Sequence, residues 1–150
     1  MPYRIAIASD HAAFGMKAEL AEWLREQGNE VFDLGTNGPE SVDYPDYGYR
    51  VGHAIAEGKA EFGVALCGSG IGISIAVNRV PGARCALVSE PFSARLARNH
   101  NDANVIALGA RLVGIEMAKA CVMTFINSGF DGGRHANRVD KLSHPEKSKP

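Results

Sequence analysis

Phe62-Gly63-Val64-Ala65-Leu66-Cys67-Gly68-Ser69-Gly70-Ile71-Gly72 holds a change of period, from strand to helix. Phe62 to Leu66 is a short, uncharged apolar run, the pattern of a strand buried on both faces of a parallel sheet. Ile71 to Val77 reads as the helix that follows. The joint between them lies at the carboxyl edge of a sheet, where open α/β folds bind ligands. Cys67 stands at that joint, and alternating glycines after it let backbone N–H groups turn toward one spot beside a helix N-terminus. Such a spot favours an anion, and its positive end favours a thiolate. A sulfur base beside an anion cradle suits proton abstraction with a stabilised oxyanion.

Outward from this joint the pattern alternates. Tyr3 to Ala8 and Glu30 to Leu34 read as strands on either side of a helix from Ala12 to Gln27, closed by Gly28. Gly35 to Pro45 is a turn-rich loop, and Tyr47 to Glu57 is weakly helical. Beyond the central joint come a strand at Arg84 to Val88, a helix at Pro91 to Asn99 and a strand at Asn104 to Leu108. A long helix from Gly114 to Asn127 follows, then a polar segment opening at Gly129 with one more short helix. Five short strands between helices predict a doubly wound, five-stranded parallel sheet. The expected organisation is a single domain over residues 1–142 with a polar tail at 143–150.

Composition narrows the function class without choosing one. The 150 residues are 45% hydrophobic and 22% charged, as in ordinary globular domains. A net charge of -1 gives no footprint for nucleic acid or an anionic membrane, so any phosphate must meet a local cluster of cations. The amino-terminal apolar stretch stops at Asp10, too short for a signal-peptide core. The three cysteines, Cys67, Cys85 and Cys121, lack metal-ligand spacing, and their odd number suits a reducing cytoplasm. Cys85 and Cys121 sit in apolar surroundings and read as core.

The glycine loop misses the known phosphate fingerprints: it is neither G-x-G-x-x-G nor followed by G-K-[ST]. Glycines at a strand–helix junction also serve close packing, and a cysteine at a strand end is commonly buried and inert. Other polar residues give the joint its meaning. Asp10-His11 follows the first strand, so both belong near Cys67, with capping as the plainer reading of Asp10. Asn99-His100-Asn101-Asp102 precedes the fifth strand, which puts His100 at the opposite edge. If His100 acts with Cys67, it must come from a second subunit. Arg134 and Arg138 share a helix face and can converge on one dianion, unless they pair with Asp131 and Asp140. Arg111 is a third cation near a strand end.

Taken together, Ser9-Asp10-His11-Ala12, Val42-Asp43-Tyr44-Pro45-Asp46, Cys67 to Gly72, His100-Asn101-Asp102-Ala103-Asn104 and Gly132-Gly133-Arg134-His135 with Arg138 resemble the B-type ribose-5-phosphate isomerases and galactose-6-phosphate isomerase subunits. These motifs follow the family order over residues 3–142. The resemblance implies a Rossmann-like, three-layer α/β sandwich and an aldose–ketose isomerase of sugar phosphates, with no metal or organic cofactor. It implies a homodimer, or a dimer of dimers, with active sites between subunits. On the same ground Cys67 would move a proton between C2 and C1. The backbone of Gly68, Gly70, Ile71 and Gly72 would hold the enediolate oxygen, with Ser69 assisting. His100 would help open the furanose, Asp10 and Asn101 would hold sugar hydroxyls, and His11, Arg111, Arg134 and Arg138 would surround the phosphate. For His11 a sugar hydroxyl is the other reading. Many relatives carry threonine where this chain has Ser69, and some use a glutamate base at the position of Ile73; Cys67 places the chain on the thiol branch. Ribose 5-phosphate is the expected substrate. Galactose 6-phosphate or allose 6-phosphate, and a non-catalytic sugar-phosphate sensor, are the competing expectations.

Overall fold

The computed structural model describes residues 2–150, which alternate strand and helix along the chain. The strands are β1 (Arg4–Ser9), β2 (Glu30–Asp33), β3 (Phe62–Cys67), β4 (Cys85–Leu87) and β5 (Val105–Gly109). Between and after them run α1 (Phe14–Glu26), α2 (Tyr44–Ala56), α3 (Ile71–Asn78), α4 (Pro91–Asn101), α5 (Ile115–Ile126) and α6 (Arg134–Ser143). A short 3₁₀ turn, Pro145–Lys147, follows. The strands form one parallel sheet in the order β2-β1-β3-β5-β4.

Side-chain alternation sorts the helices into two outer layers. Ile5, Ile7, Val64, Leu66, Ile106 and Leu108 point to one face, where α1, α4 and α5 bring Leu20, Leu24, Ala97, Val122 and Phe125. The other face carries smaller groups, including Ala8, Ala65, Cys67 and Ala107, and meets Val51 of α2 with Ile73 and Val77 of α3. Small residues let these helices approach closely. A Cβ on Gly63 would come within 2.5 Å of Val51 Cγ1. The three-layer sandwich is therefore present, with Cys67 aimed into its tightly built side.

Element ends differ from the expected ones for local reasons. α2 begins at Tyr44 because Pro45 fits a first turn, where a missing N–H costs nothing. α4 runs on to Asn101, so His100 and Asn101 occupy its last turn instead of a following loop. That helix stops at Asp102, whose φ is 45° and whose carboxylate binds both Arg84 and Arg98. Gly28, at φ 94°, closes α1 as expected: its N–H donates to Arg25 and the Asn29 N–H to Leu24. Cys121 is fully buried, whereas Cys85 on the edge strand is half-buried.

Candidate active site

Strands β1 and β3 are neighbours, paired Ser9 to Leu66, but the chain leaves them toward opposite sides of the sheet. The loops after them diverge there and open a hollow of about 600 Å³. Asp10, Cys67, Gly68, Ser69, Ile71, Gly72 and Arg111 all line it, as do Tyr44, Ile75 and Leu112. A smaller apolar cleft of about 270 Å³ continues beyond Ser69 and Ile71 toward Leu87 and Val113.

The loop that carries the sulfur is locked by its own donors. The Gly70 N–H donates to Cys67 Sγ at 3.2 Å, and the Ile71 N–H donates to Ser69 Oγ at 3.1 Å. Two of the donors expected to face a substrate oxygen are thus engaged with side chains of the loop. Ser69 Oγ accepts in this arrangement and keeps its hydroxyl proton for another partner. Gly70 holds a φ of 78°, and a Cβ there would sit 2.8 Å from the Leu108 carbonyl carbon. Only glycine fits that corner. Gly72 leaves room for Tyr44, whose ring would lie 2.5 Å from an added Cβ. Tyr44 faces the hollow, although in the sequence it stands out only as a member of the Val42–Asp46 motif at the end of a loop.

Asp10 is buried, and its Oδ1 accepts the Ala12 N–H at 3.0 Å. This is a turn closed two residues on, not the cap of α1, which begins at Phe14 with Ala13 before it. His11 lies just outside the hollow. Its Nδ1 accepts the Val42 N–H at 3.1 Å, so in the neutral ring Nε2 carries the proton. Arg111 folds over the loop: its N–H donates to the Gly68 carbonyl, and its guanidinium would lie 3.2 Å from a Cβ on Gly68.

His100, Asn101, Arg134 and Arg138 are not brought to this hollow. β3 and β5 pair Gly63 with Val105 and Cys67 with Gly109, and His100 precedes Val105. Four strand residues, about 13 Å at the usual rise, separate the two edges. At the amino edge α6 packs on α4, and the His100 and His135 rings stack at 4.4 Å, 10° from parallel. Loss of solvent first, then the neighbouring His100, Arg134 and Arg138, holds the His135 imidazole below its ordinary pKa, against an opposing pull from Asp131. Arg134 and Arg138 are exposed and form no ion pair among the described residues. Asp140, one of the two acids named for the alternative pairing, binds Lys147 and His144 instead. Asn101 opens on another hollow, with Arg84, Cys85 and Leu142.

Ligand atoms of His100, Asp131 and His135 lie within 4.8 Å of one another, a set that is able to hold a metal ion. Stacked, near-parallel rings do not aim their lone pairs at one point, and two arginines beside them favour an anion. The other two thiols are disarmed. Burial pushes Cys85 up to about 12 and, with Glu90 adding to it, Cys121 up to about 11. Among the described residues no helix is long and apolar enough to cross a membrane.

Residues 5–142 match the model of a family described as Ribose/Galactose Isomerase. Ribose-5-phosphate isomerase B of Escherichia coli is 45% identical over 140 residues, covering 93% of this chain and 94% of that one. D-erythrulose-4-phosphate isomerase of Pectobacterium atrosepticum is 41% identical over 143 residues, covering 95% of this chain and 94% of that one. Among solved structures, ribose-5-phosphate isomerase B of Clostridium thermocellum superposes with a TM-score of 0.94 at 49% identity, covering 96% of this chain and 97% of that one.

Proposed function

The chain belongs to the ribose/galactose isomerase family, and on that premise we propose that it interconverts ribose 5-phosphate and ribulose 5-phosphate through Cys67. The observation that supports this most is the shared hollow, in which the sulfur, Asp10, the Ser69 hydroxyl and Arg111 surround one space at the switch point of the sheet. Cys67 takes the proton from C2 of the open aldose, and the electron pair moves onto the C1 oxygen as an enediolate. A proton from the Cys67 thiol, exchangeable with solvent while the enediolate lasts, is delivered at C1 and gives the ketose once the O2 proton has passed to O1. The loop N–H groups between Gly68 and Gly72 that are not taken by Cys67 and Ser69, together with the free Ser69 proton, meet the oxygen's charge where it develops. Asp10 and Asn101 hold hydroxyls.

A single chain keeps the ring-opening histidine and the paired arginines on the wrong side of the sheet. We infer a homodimer in which His100, Asn101, Arg134 and Arg138 of one copy complete the hollow of the other. Ile71, Ile75 and Leu112 are 52%, 57% and 70% exposed around that hollow, an apolar rim that a second copy would cover. His11 and Arg111 then meet the phosphate from one side and the arginine pair from the other. Three free thiols fit a cytoplasmic enzyme.

Isomerisation of ribose 5-phosphate in deuterated water, by wild type and Cys67→Ala, tests the reading. Wild type should turn over with deuterium entering at carbon, and the variant should lose at least about 10²-fold in rate. Undiminished turnover by Cys67→Ala would remove the sulfur from the chemistry. Binding of sugar phosphate by wild type without turnover would make the chain a sensor. Rates on four-, five- and six-carbon sugar phosphates, compared side by side, fix the length of sugar accepted.

A further inference from the structure

Lys17 is the one cation among the described residues that is nearly sealed from solvent, at 1% exposure, and the chemistry above does not use it. Its ammonium donates to both carboxylate oxygens of Asp33, at 2.6 and 2.7 Å, and to Asn37 Oδ1 at 2.9 Å. These three bonds use all three protons of the group. Asp33 ends β2 and Asn37 lies in the chain that leaves it, and Asp33 Oδ1 also accepts the Gly35 N–H. That chain is laced to the end of β1 as well. The Ser9 N–H donates to Gly35, and the Thr36 N–H donates to Ser9, one residue before Asp10.

From this anchored start the chain runs without regular structure to Asp43, and its far end meets His11 through the Val42 N–H. α2 then begins with Tyr44 in the hollow. The ammonium is buried while the Asp33 side chain is 24% exposed, and the cost of desolvating the ammonium offsets most of what such a pair contributes to stability. A saturated ammonium at the root of this loop is therefore better explained by the geometry it imposes than by stability.

We propose that Lys17 is a positioning residue: through Asp33 and Asn37 it sets the loop over 34–42 so that Val42 fixes the orientation of His11 toward the substrate phosphate. This rests on the reading of His11 as a phosphate ligand. Small displacements far from the reacting atoms are known to cost up to about 10²-fold. Loss of Lys17 should act on substrate binding and leave the proton transfer at Cys67 in place.

The experiment is a double-mutant cycle on ribose 5-phosphate turnover, with wild type, Lys17→Met, His11→Ala and the double variant, and inorganic phosphate as competing ligand. Lys17→Met should raise KM and the phosphate inhibition constant about tenfold with kcat nearly unchanged, and should add nothing to His11→Ala. Full additivity of the two changes, or a loss confined to kcat, would overturn the proposal. A His11→Ala variant with unchanged KM would instead remove His11 from the phosphate site, a separate failure. Asn37→Ala serves where Lys17→Met does not fold. It removes one acceptor of the Lys17 ammonium at an exposed position and should raise KM in the same direction, again only while His11 is present. An unchanged KM in Asn37→Ala, with Lys17→Met unfolded, would reduce Lys17 to a structural ion pair.

Discussion

Cys67 and His100 lie at opposite edges of the same parallel sheet, one ending β3 and the other preceding β5, whose register pairs Cys67 with Gly109. No side-chain rotation brings an imidazole at the amino edge to a sulfur at the carboxyl edge. The two belong to one reaction only when two copies of the chain face each other. The apolar rim of the hollow and the unpaired arginines near His100 are the two surfaces such a pairing would use.

Thiol reactivity separates the three cysteines. A thiol held near 11 or 12 has almost no thiolate at neutral pH, and its alkylation rate climbs only as pH approaches those values. Iodoacetamide between pH 7 and pH 9 should therefore modify Cys67 alone, with ribose 5-phosphate protecting it. Mass spectrometry of the labelled peptides checks this. Faster labelling of Cys85 or Cys121 would contradict it.

The two glycines beside the sulfur should tolerate alanine unequally. Gly70→Ala forces a left-handed φ on alanine and drives its methyl into the β5 backbone, so thermal unfolding should show a loss of about 2 kcal/mol or more. Gly68→Ala meets only the mobile end of Arg111, at 3.2 Å. Its stability should stay within about 0.5 kcal/mol of wild type while KM rises.

Arg134 and Arg138 stand on the first turns of α6 with no acidic partner among the described residues. Alanine at either position should leave the melting temperature unchanged and raise KM for a sugar phosphate by about tenfold or more, as expected for a lost charge-assisted bond. Steady-state kinetics beside a thermal melt decides it. A drop in melting temperature with unchanged KM would return both residues to a purely structural role.

The central strand and its glycine joint were legible because β3 is uncharged and buried on both faces, so its ends coincide with the change of period at Cys67 and Ile71. The apolar pattern makes β4 two residues too long, since a three-residue edge strand leaves too little pattern to bound. Pro45 reads as the end of a loop until its neighbours are known, which hid the start of α2 and with it the place of Tyr44. The wrong-edge position of His100 followed from chain order alone, because parallel strands share their carboxyl edge. The bond from Val42 to His11 and the ion pair of Lys17 with Asp33 join residues distant in sequence with no spacing rule between them. Only the folded chain displays those.

Subunit complementation tests the shared site most directly. Cys67→Ala and His100→Ala, each inactive alone, are unfolded together and refolded so that mixed dimers form. Half of a random mixture is then hybrid, and each hybrid has one site with both mutations and one with neither. Recovery of about a quarter of the wild-type rate per protomer is the predicted result. A mixture that demonstrably contains hybrids yet stays as inactive as its parents would contradict a site built from the Cys67 edge of one copy and the His100 edge of another.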